Sequence, residues 1–474
     1  MTFRLPLFFL LFTASAIQST HSQSPVTVAL KTSAIGSSIQ DDFIGLSFEM
    51  EKLLPDARGE YLFSPKNDAL ISLFKMLGVK SLRVGGNTAD RPSVRLPDRP
   101  DIDNLFAFAD AAGVKVIYTL RLREGDPKVA AQTATYIMNR YRPLLDCFAI
   151  GNEPNVFARE YASYRDEWKK YVDLITAPEH APEATFCGPS STPGQAAWCR
   201  DFAADFGRSG KIRFIAQHAY PGGSGTAVTD PASARQRMLA RLWTKGYESF
   251  HASFVPAVQL VGLRYRIEET NNFYNGGAAE VSNTFASALW GLDYMHWWAQ
   301  HSAAGLNFHT GDSVAAGERT NPCRYAVFTT SAVGYFVRPL GYAVKAFDLG
   351  SHGSVFPTGI VSNADSINLS AYGVISGDKI LSLTLINKEH GFEARDAVVT
   401  ILSDKPILTA EVITLTSPNR DIGAVSGVRL GGAEIQHDAA WNGTWTRLSQ
   451  SRTGEGLPLQ LLAATAVIVR MKTK

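Results

Sequence analysis

Two stretches of this sequence hold glutamates in settings suited to acid, base or nucleophile chemistry. The first is Gly151-Asn152-Glu153-Pro154, directly after the apolar run Cys147–Ile150. The second is Glu268-Glu269-Thr270, at the end of a run that starts at Leu263. Two carboxylates at opposite strand ends can face each other across a sugar: one protonates the leaving oxygen while the other attacks the anomeric carbon. A separation of about 5–5.5 Å gives retention of configuration. Burial and mutual repulsion would keep one of the two protonated at working pH. Asn152 can hold a sugar hydroxyl beside the acid, although Asn-Glu-Pro by itself is equally compatible with a turn fixed by Pro154. The second glutamate is open at this level. Neighbouring strand residues face opposite ways, so Glu268 and Glu269 are not expected at one site. Glu269 shares a face with Leu263, Tyr265 and Ile267, and Glu268 shares one with Arg264 and Arg266, with which it can pair. Either set can line the interior of a barrel.

The elements that must position these groups repeat along the chain. From about residue 40 to residue 340, short apolar runs alternate with longer helical patterns, the signature of βα units around a parallel sheet. The runs lie near Phe43–Phe48, Ser81–Val84, Val116–Leu120, Cys147–Ile150, Thr185–Gly188, Ile212–Gln217, Leu263–Glu268 and Leu306–His309. Helices are predicted between them, for example over Asp101–Ala112, Glu160–Ile175 and Val281–Gln300. Eight such units predict a (β/α)8 TIM barrel at 41–340, whose functional groups project from the C-terminal strand ends. Glu49, Arg83, Gly85-Gly86-Asn87, Asn152-Glu153, His218, Tyr220, Glu269, Asn271, His309 and Asp312 follow or end these runs. Beyond about residue 345 the texture becomes short alternating strands, such as Ile380–Ile386, Ala397–Ile401, Ala410–Thr416 and Ala464–Met471. These predict a C-terminal β-sandwich at 341–474. The strand-like Val26–Leu30, within 25–40, is expected to join that sandwich.

Composition narrows the partners. Of 474 residues, 45% are hydrophobic and 19% charged, and the formal net charge is +2 with no long run of like charges. Electrostatics therefore point to neither nucleic acid nor a membrane surface. Met1-Thr2-Phe3-Arg4, the apolar run Leu5–Phe12 and the small residues Ala14-Ser15-Ala16 read as a signal peptide within 1–24, which implies a secreted or periplasmic protein. The run is far short of the roughly 20 apolar residues a bilayer requires. In an oxidising compartment Cys187 and Cys199 could pair, and four buried free thiols are the alternative. Asn368-Leu369-Ser370 and Asn442-Gly443-Thr444 are glycosylation sequons, meaningful only in a eukaryotic source. His218 and His309 lack the spacing and acidic company of metal ligands, so neither metal nor cofactor is expected. Gly222-Gly223-Ser224-Gly225 lacks the lysine and strand–helix setting of a phosphate loop and reads as a flexible connection. The aromatic cluster Tyr294-Met295-His296-Trp297-Trp298 reads as helix packing.

At these residues the chain resembles glycoside hydrolase family 79, the heparanase and β-glucuronidase family of retaining barrels. Leu82-Arg83-Val84-Gly85-Gly86-Asn87 is similar to the family's Leu-Arg-x-Gly-Gly segment, and Gly151-Asn152-Glu153-Pro154-Asn155 to its acid/base motif. Gln217-His218-Ala219-Tyr220 is similar to its His-x-Tyr motif, and Glu269-Thr270-Asn271-Asn272-Phe273-Tyr274-Asn275-Gly276-Gly277 to its nucleophile segment. The resemblance implies Glu153 as acid/base, Glu269 rather than Glu268 as nucleophile, and a carbohydrate carrying β-linked glucuronic acid as substrate. It further implies Tyr274 with the glycine N–H groups near Gly276 and Gly277 as the binders of the sugar carboxylate. Tyr220, Glu49, Asn87, Asn152 and His309 are the other candidate sugar contacts.

The chain departs from the animal heparanases at Glu268, where glycine is usual, and in the Phe308-His309-Thr310-Gly311 loop. Its basic residues are scattered, which favours exo-acting release of glucuronic acid over endo-cleavage of a sulfated chain. Two further alternatives stand beside it: a clan relative acting on a neutral sugar, and a non-catalytic carbohydrate-binding protein.

Overall fold

The computed structural model describes residues 22–317, 319–449 and 456–474; the expected leader lies outside these residues up to position 21, and its last two positions, Gln23 and Ser24, belong to a strand. Strand β1 (Gln23–Leu30) precedes a closed barrel of eight parallel strands: β2 (Ile44–Glu49), β3 (Ser81–Gly85), β4 (Lys115–Leu120), β5 (Leu145–Ile150), β6 (Phe186–Ser191), β7 (Ile212–Ala219), β8 (Tyr265–Thr270) and β9 (Leu306–His309). All eight apolar runs of the sequence are barrel strands. β2, β3, β6, β8 and β9 are buried along their whole length because helices cover the outside and side chains fill the inside.

Local chemistry starts and stops the surrounding helices. Asp98 accepts from the backbone of Asp101, whose side chain answers to the Asp98 N–H, a reciprocal cap on the helix Arg99–Ala112. The helix Phe285–Gln300 is apolar on every side and buried along all but its last residue. It lies between the barrel wall, the helix Pro339–Gly350 and the sandwich, so no face needs to be polar. Its aromatic cluster packs as expected, with Tyr294 stacked on Trp290 and Trp297 edge-on to Trp298. The sandwich is tied down through the buried Asp293, which accepts from Lys388 at 2.9 Å and from Tyr372 at 2.7 Å. The helix Pro339–Gly350 runs across the expected boundary at 340, and the strand texture begins after it.

The C-terminal part consists of two sheets. One holds the strands 354–356, 369–375, 380–387, 465–473, 407–416 and 429–430, with 446–447 pairing on 407–416. The other has the order 358–362, β1, 396–403, 457–461. β1 runs parallel to Asp396–Ser403 from Gln23 onward, and its inward residues Val26, Val28 and Leu30 enter the core between the sheets. All four cysteines are free and buried. Cys187 on β6 points into the barrel, whereas Cys199, on the helix Ala196–Phe206, directs its thiol to the Ala216 carbonyl; the short spacing does not produce a pair. Among the described residues no helix is long and apolar enough to cross a membrane.

Candidate active site

The C-terminal strand ends converge on one buried guanidinium. Arg83, from β3, donates from Nη1 to Glu269 Oε2 at 2.5 Å and to Ser47 Oγ at 3.1 Å, and from Nη2 to Asn152 Oδ1 at 2.6 Å. It therefore links groups from β2, β5 and β8. A Cβ at Gly85 would stand 2.7 Å from both the Arg83 guanidinium carbon and the Thr119 hydroxyl, so glycine is required for the side chain to lie there.

Glu153 is held at the end of β5 by its backbone. It sits in the left-handed region at φ 48°, uncommon for a glutamate, and its N–H donates to the Ser190 carbonyl at 2.9 Å. The preceding N–H, of Asn152, donates to the buried Asp90, which also accepts from Leu122 and Arg123. Burial holds the Asp90 carboxyl above its ordinary range against these three donors. The Glu153 side chain is 18% exposed, and its Oε1 lies 3.0 Å from His218 Nδ1.

On β8 the structure overturns the expectation from strand alternation. Ile267 pairs with Gln217 and Glu269 with His218, so two steps along β8 match one step along β7. On the other side, Ile267 pairs with Leu306 and Thr270 with Phe308, three steps against two. Glu268 is the extra residue of a β-bulge, a local insertion that re-aims side chains. Both glutamates consequently reach His218: Glu268 Oε1 is 3.6 Å from Nε2, and Glu269 Oε1 is 3.9 Å from Nδ1. Arg264 and Arg266 do not pair with Glu268. Arg266 bonds to Asn307 and to the Asp42 carbonyl, and Arg264 to the Ala303 carbonyl.

Electrostatics separate the two candidate catalytic carboxylates. Burial alone would raise the Glu269 carboxyl, but the charges of His309, His218 and Arg83 and the Tyr220 hydroxyl, 2.9 Å from Oε1, hold it well below the ordinary range. Burial likewise opposes charge on His218, but Glu269, the hydrogen bond to Glu153 and the nearby Glu268 carboxylate push the imidazole up to about 9. Glu268 stays low despite burial through His218 and Arg83, and Glu49 through His309 and Thr88. Arg83 and the imidazoles of His218 and His309 thus face three buried carboxylates, while Glu153 stands toward solvent. Glu153, His218 and Glu269 each offer one atom within 4.8 Å of the others, a spacing that could hold an ion. Within the trio, Nδ1 of His218 is engaged by Glu153 at 3.0 Å.

The other candidates divide between the pocket and its frame. Tyr220 touches Glu269, and Tyr274, 42% exposed, stands edge-on to it with ring centroids 6.2 Å apart. Glu49 is buried and accepts from Thr88 and from the Ala315 N–H, and the Asn87 amide donates to the Ala315 carbonyl. These two residues fasten the hairpin 313–322 over the barrel mouth. His309 is buried between Ser47 and Glu49, with Nδ1 4.0 Å from Glu269. Gly276 lies under the same hairpin, its carbonyl accepting from Arg324.

Gly222–Gly225, read from sequence as a flexible connection, is an ordered strap. Gly222 and Gly225 donate to the Asn272 and Tyr274 carbonyls, and Tyr274 donates back to Gly223. A Cβ at Gly225 would meet the Gly277 backbone at 2.3 Å. The glycines let two loops touch and so set Tyr274. Arg83 and Asn271 stand out in the sequence as polar residues near strand ends within two of the resembling segments, without a role of their own. Ser47 and Tyr325 carried no such signal; Asn271 bridges the His309 and Tyr325 carbonyls.

A (β/α)8 barrel with two facing carboxylates at its fourth and seventh strand ends, one held ionised and one toward solvent, defines a glycoside hydrolase. No protein-family profile matches the chain. A β-glucuronidase of Aspergillus niger is 23% identical over 505 aligned positions, covering 90% of this chain and 88% of the relative. A β-glucuronidase of Neurospora crassa is 25% identical, covering 51% of this chain and 48% of the relative. Among solved structures, a 4-O-α-L-rhamnosyl-β-D-glucuronidase from Fusarium oxysporum superposes with a TM-score of 0.69 at 17% identity, covering 94% of this chain and 99% of that one. A family 51 arabinofuranosidase from Xanthomonas axonopodis superposes at 0.67 with 14% identity, covering 95% and 100%. The structural likenesses share the two-part fold.

Proposed function

We propose that this chain is an exported, retaining β-glucuronidase that releases β-linked glucuronic acid from the end of a glycoside or glycan. The observation that carries the reading is the asymmetric pair on His218. Glu269 is ionised by Arg83 and Tyr220, as a nucleophile must be; Glu153 meets the same imidazole from the solvent side, as an acid/base must. Glu269 attacks the anomeric carbon while Glu153 gives its proton to the leaving oxygen; water then cleaves the glycosyl ester with Glu153 as base. Tyr274 and the N–H groups around Gly276 and Gly277 receive the sugar carboxylate, and Asn152 a ring hydroxyl. The choice of glucuronic acid is supported by the two fungal relatives, which bear that activity in their names.

The test is hydrolysis of a chromogenic aryl β-glucuronide, with the anomer followed by proton NMR. First release of the β-anomer is expected. Faster release from aryl arabinofuranoside, xyloside or glucoside would refute the substrate, and binding without turnover would refute the enzyme.

A further inference from the structure

We propose that Glu268 is a positioning residue for the acid/base: its buried carboxylate anchors Nε2 of His218, so that Nδ1–H faces Glu153 and Glu269 and the ring stays cationic throughout the reaction. The inference rests on the roles proposed for Glu153 and Glu269.

The bulge is the first argument. Regular alternation puts Glu268 inward with Arg266, and the extra residue in β8 turns Glu269 inward too, so two adjacent glutamates share the barrel interior and only one of them can be the nucleophile. The Glu268 side chain is fully buried, a costly setting for a carboxylate that an apolar residue would fill more cheaply. The second argument is the placement of the ring. Nδ1 lies 3.0 Å from Glu153 and 3.9 Å from Glu269, whereas Nε2 stands between Arg83 Nη2 at 3.5 Å and Glu268 Oε1 at 3.6 Å, a buried oxygen with no hydrogen bond of its own.

During glycosylation the bond from C1 to the leaving oxygen breaks, a bond from C1 to a Glu269 oxygen forms, and the Glu153 proton moves to the leaving oxygen. One negative charge thereby disappears from Glu269 and one appears on Glu153. The same Nδ1–H faces both, so it can follow the charge from one carboxylate to the other without leaving its place. Glu268 is the anion beside the ring whose charge does not change in either step. The other charged group facing the ring is Arg83, 3.5 Å from Nε2, which opposes protonation. Tyr220, on the same strand as His218, is bonded to Glu269, and Glu268 in turn meets the Cys187 thiol at 3.5 Å, with Cys147 and Ser190 close by. Without Glu268, esterification of Glu269 would leave the ring beside Arg83 with Glu153 as its sole anionic partner.

Two measurements on Glu268→Gln and Glu268→Asp test this. The His218 titration is followed in the substrate-free protein by NMR of 13Cε1-labelled histidine, assigned through His218→Gln, and kcat is followed against pH on an aryl β-glucuronide. Glu268→Gln is expected to lower the His218 titration by about one pH unit or more, the shift typical of losing an opposite charge at this range. The alkaline limb of kcat should move acidward by a similar amount, and Glu268→Asp should restore most of both. An unmoved titration, or a kcat lowered equally at every pH, means that Glu268 only packs and overturns the proposal. If Glu268→Gln does not fold, the same titration is read in Glu268→Ala, where a shift of that size is expected and an unmoved titration overturns the role. A wild type inactive on glucuronides refutes the substrate instead, and the titration still decides Glu268.

Discussion

Nη1 of Arg83 meets Oε2 of Glu269 at 2.5 Å while Nη2 of the same guanidinium holds Asn152 at 2.6 Å. One planar fork therefore sets the spacing between the proposed nucleophile and the strand end that carries the proposed acid. A lysine keeps the charge but offers a single point donor and cannot span both partners. Arg83→Lys is expected to remain folded and to lose roughly 10- to 100-fold in kcat, the scale of an ångström-sized misplacement. An unchanged kcat on aryl glucuronides would show that the fork does not align the site.

Glu153 should matter in proportion to how badly the leaving group needs a proton. Glu153→Ala is expected to cost about 10²- to 10⁴-fold on alkyl glucuronides and much less on a dinitrophenyl glucuronide, whose leaving oxygen departs unprotonated. Equal losses on both would contradict an acid role.

The nucleophile assignment can be read directly from a trapped intermediate. A 2-fluoro-glucuronyl fluoride should label Glu269 in the wild type, and Glu269→Gln should abolish the adduct. Peptide mapping distinguishes it from Glu268, the next residue along the bulge. A label on Glu268 would reverse the assignment.

The barrel is legible in the sequence because each strand is an apolar run of four to eight residues and each helix an amphipathic repeat, which the chain alternates without interruption. The bulge is not legible. Alternation groups Glu269 with Tyr265 and Ile267, which face the outer helices, and Glu268 with Arg266, which faces the barrel interior; one extra residue in β8 brings Glu269 inward as well, and no local pattern announces it. Nor can Arg83 be given its partners from sequence, since Asn152 and Glu269 lie 69 and 186 residues further on and meet it only through barrel closure. Local spacing misleads in the opposite sense at Cys187 and Cys199, near in sequence but turned apart by strand and helix. The glycines of the 222–225 strap read as loose because nothing local reveals the loop, 272–277, that they let approach.

Tyr274 offers a specificity test. Its hydroxyl, on a half-exposed ring steered by the glycine strap, is the proposed donor to the sugar carboxylate. A hydrogen bond to a charged group contributes about 1.5–3 kcal/mol. Tyr274→Phe should therefore narrow the preference for aryl glucuronide over aryl glucoside by roughly 10- to 100-fold in kcat/KM. A ratio that does not move would remove this residue from carboxylate recognition.

The imidazole of His218 links the site to stability. Its ordinary value is 6.5, and in the folded protein it is raised to about 9. A raised value means that the folded state binds the proton more tightly, so its contribution is complete below about pH 6.5 and fades as the pH climbs through 9. At full strength it amounts to as much as roughly 3 kcal/mol. His218→Gln also leaves Glu268 and Glu269 with less positive charge around them, so it should be most destabilising near pH 6. Urea unfolding of wild type and variant at pH 6, 7.5 and 9.5 is expected to give a stability gap that shrinks as the pH rises. A gap of constant size would mean that the ring supports the barrel by packing alone, with no charge passing between it and the carboxylates it touches.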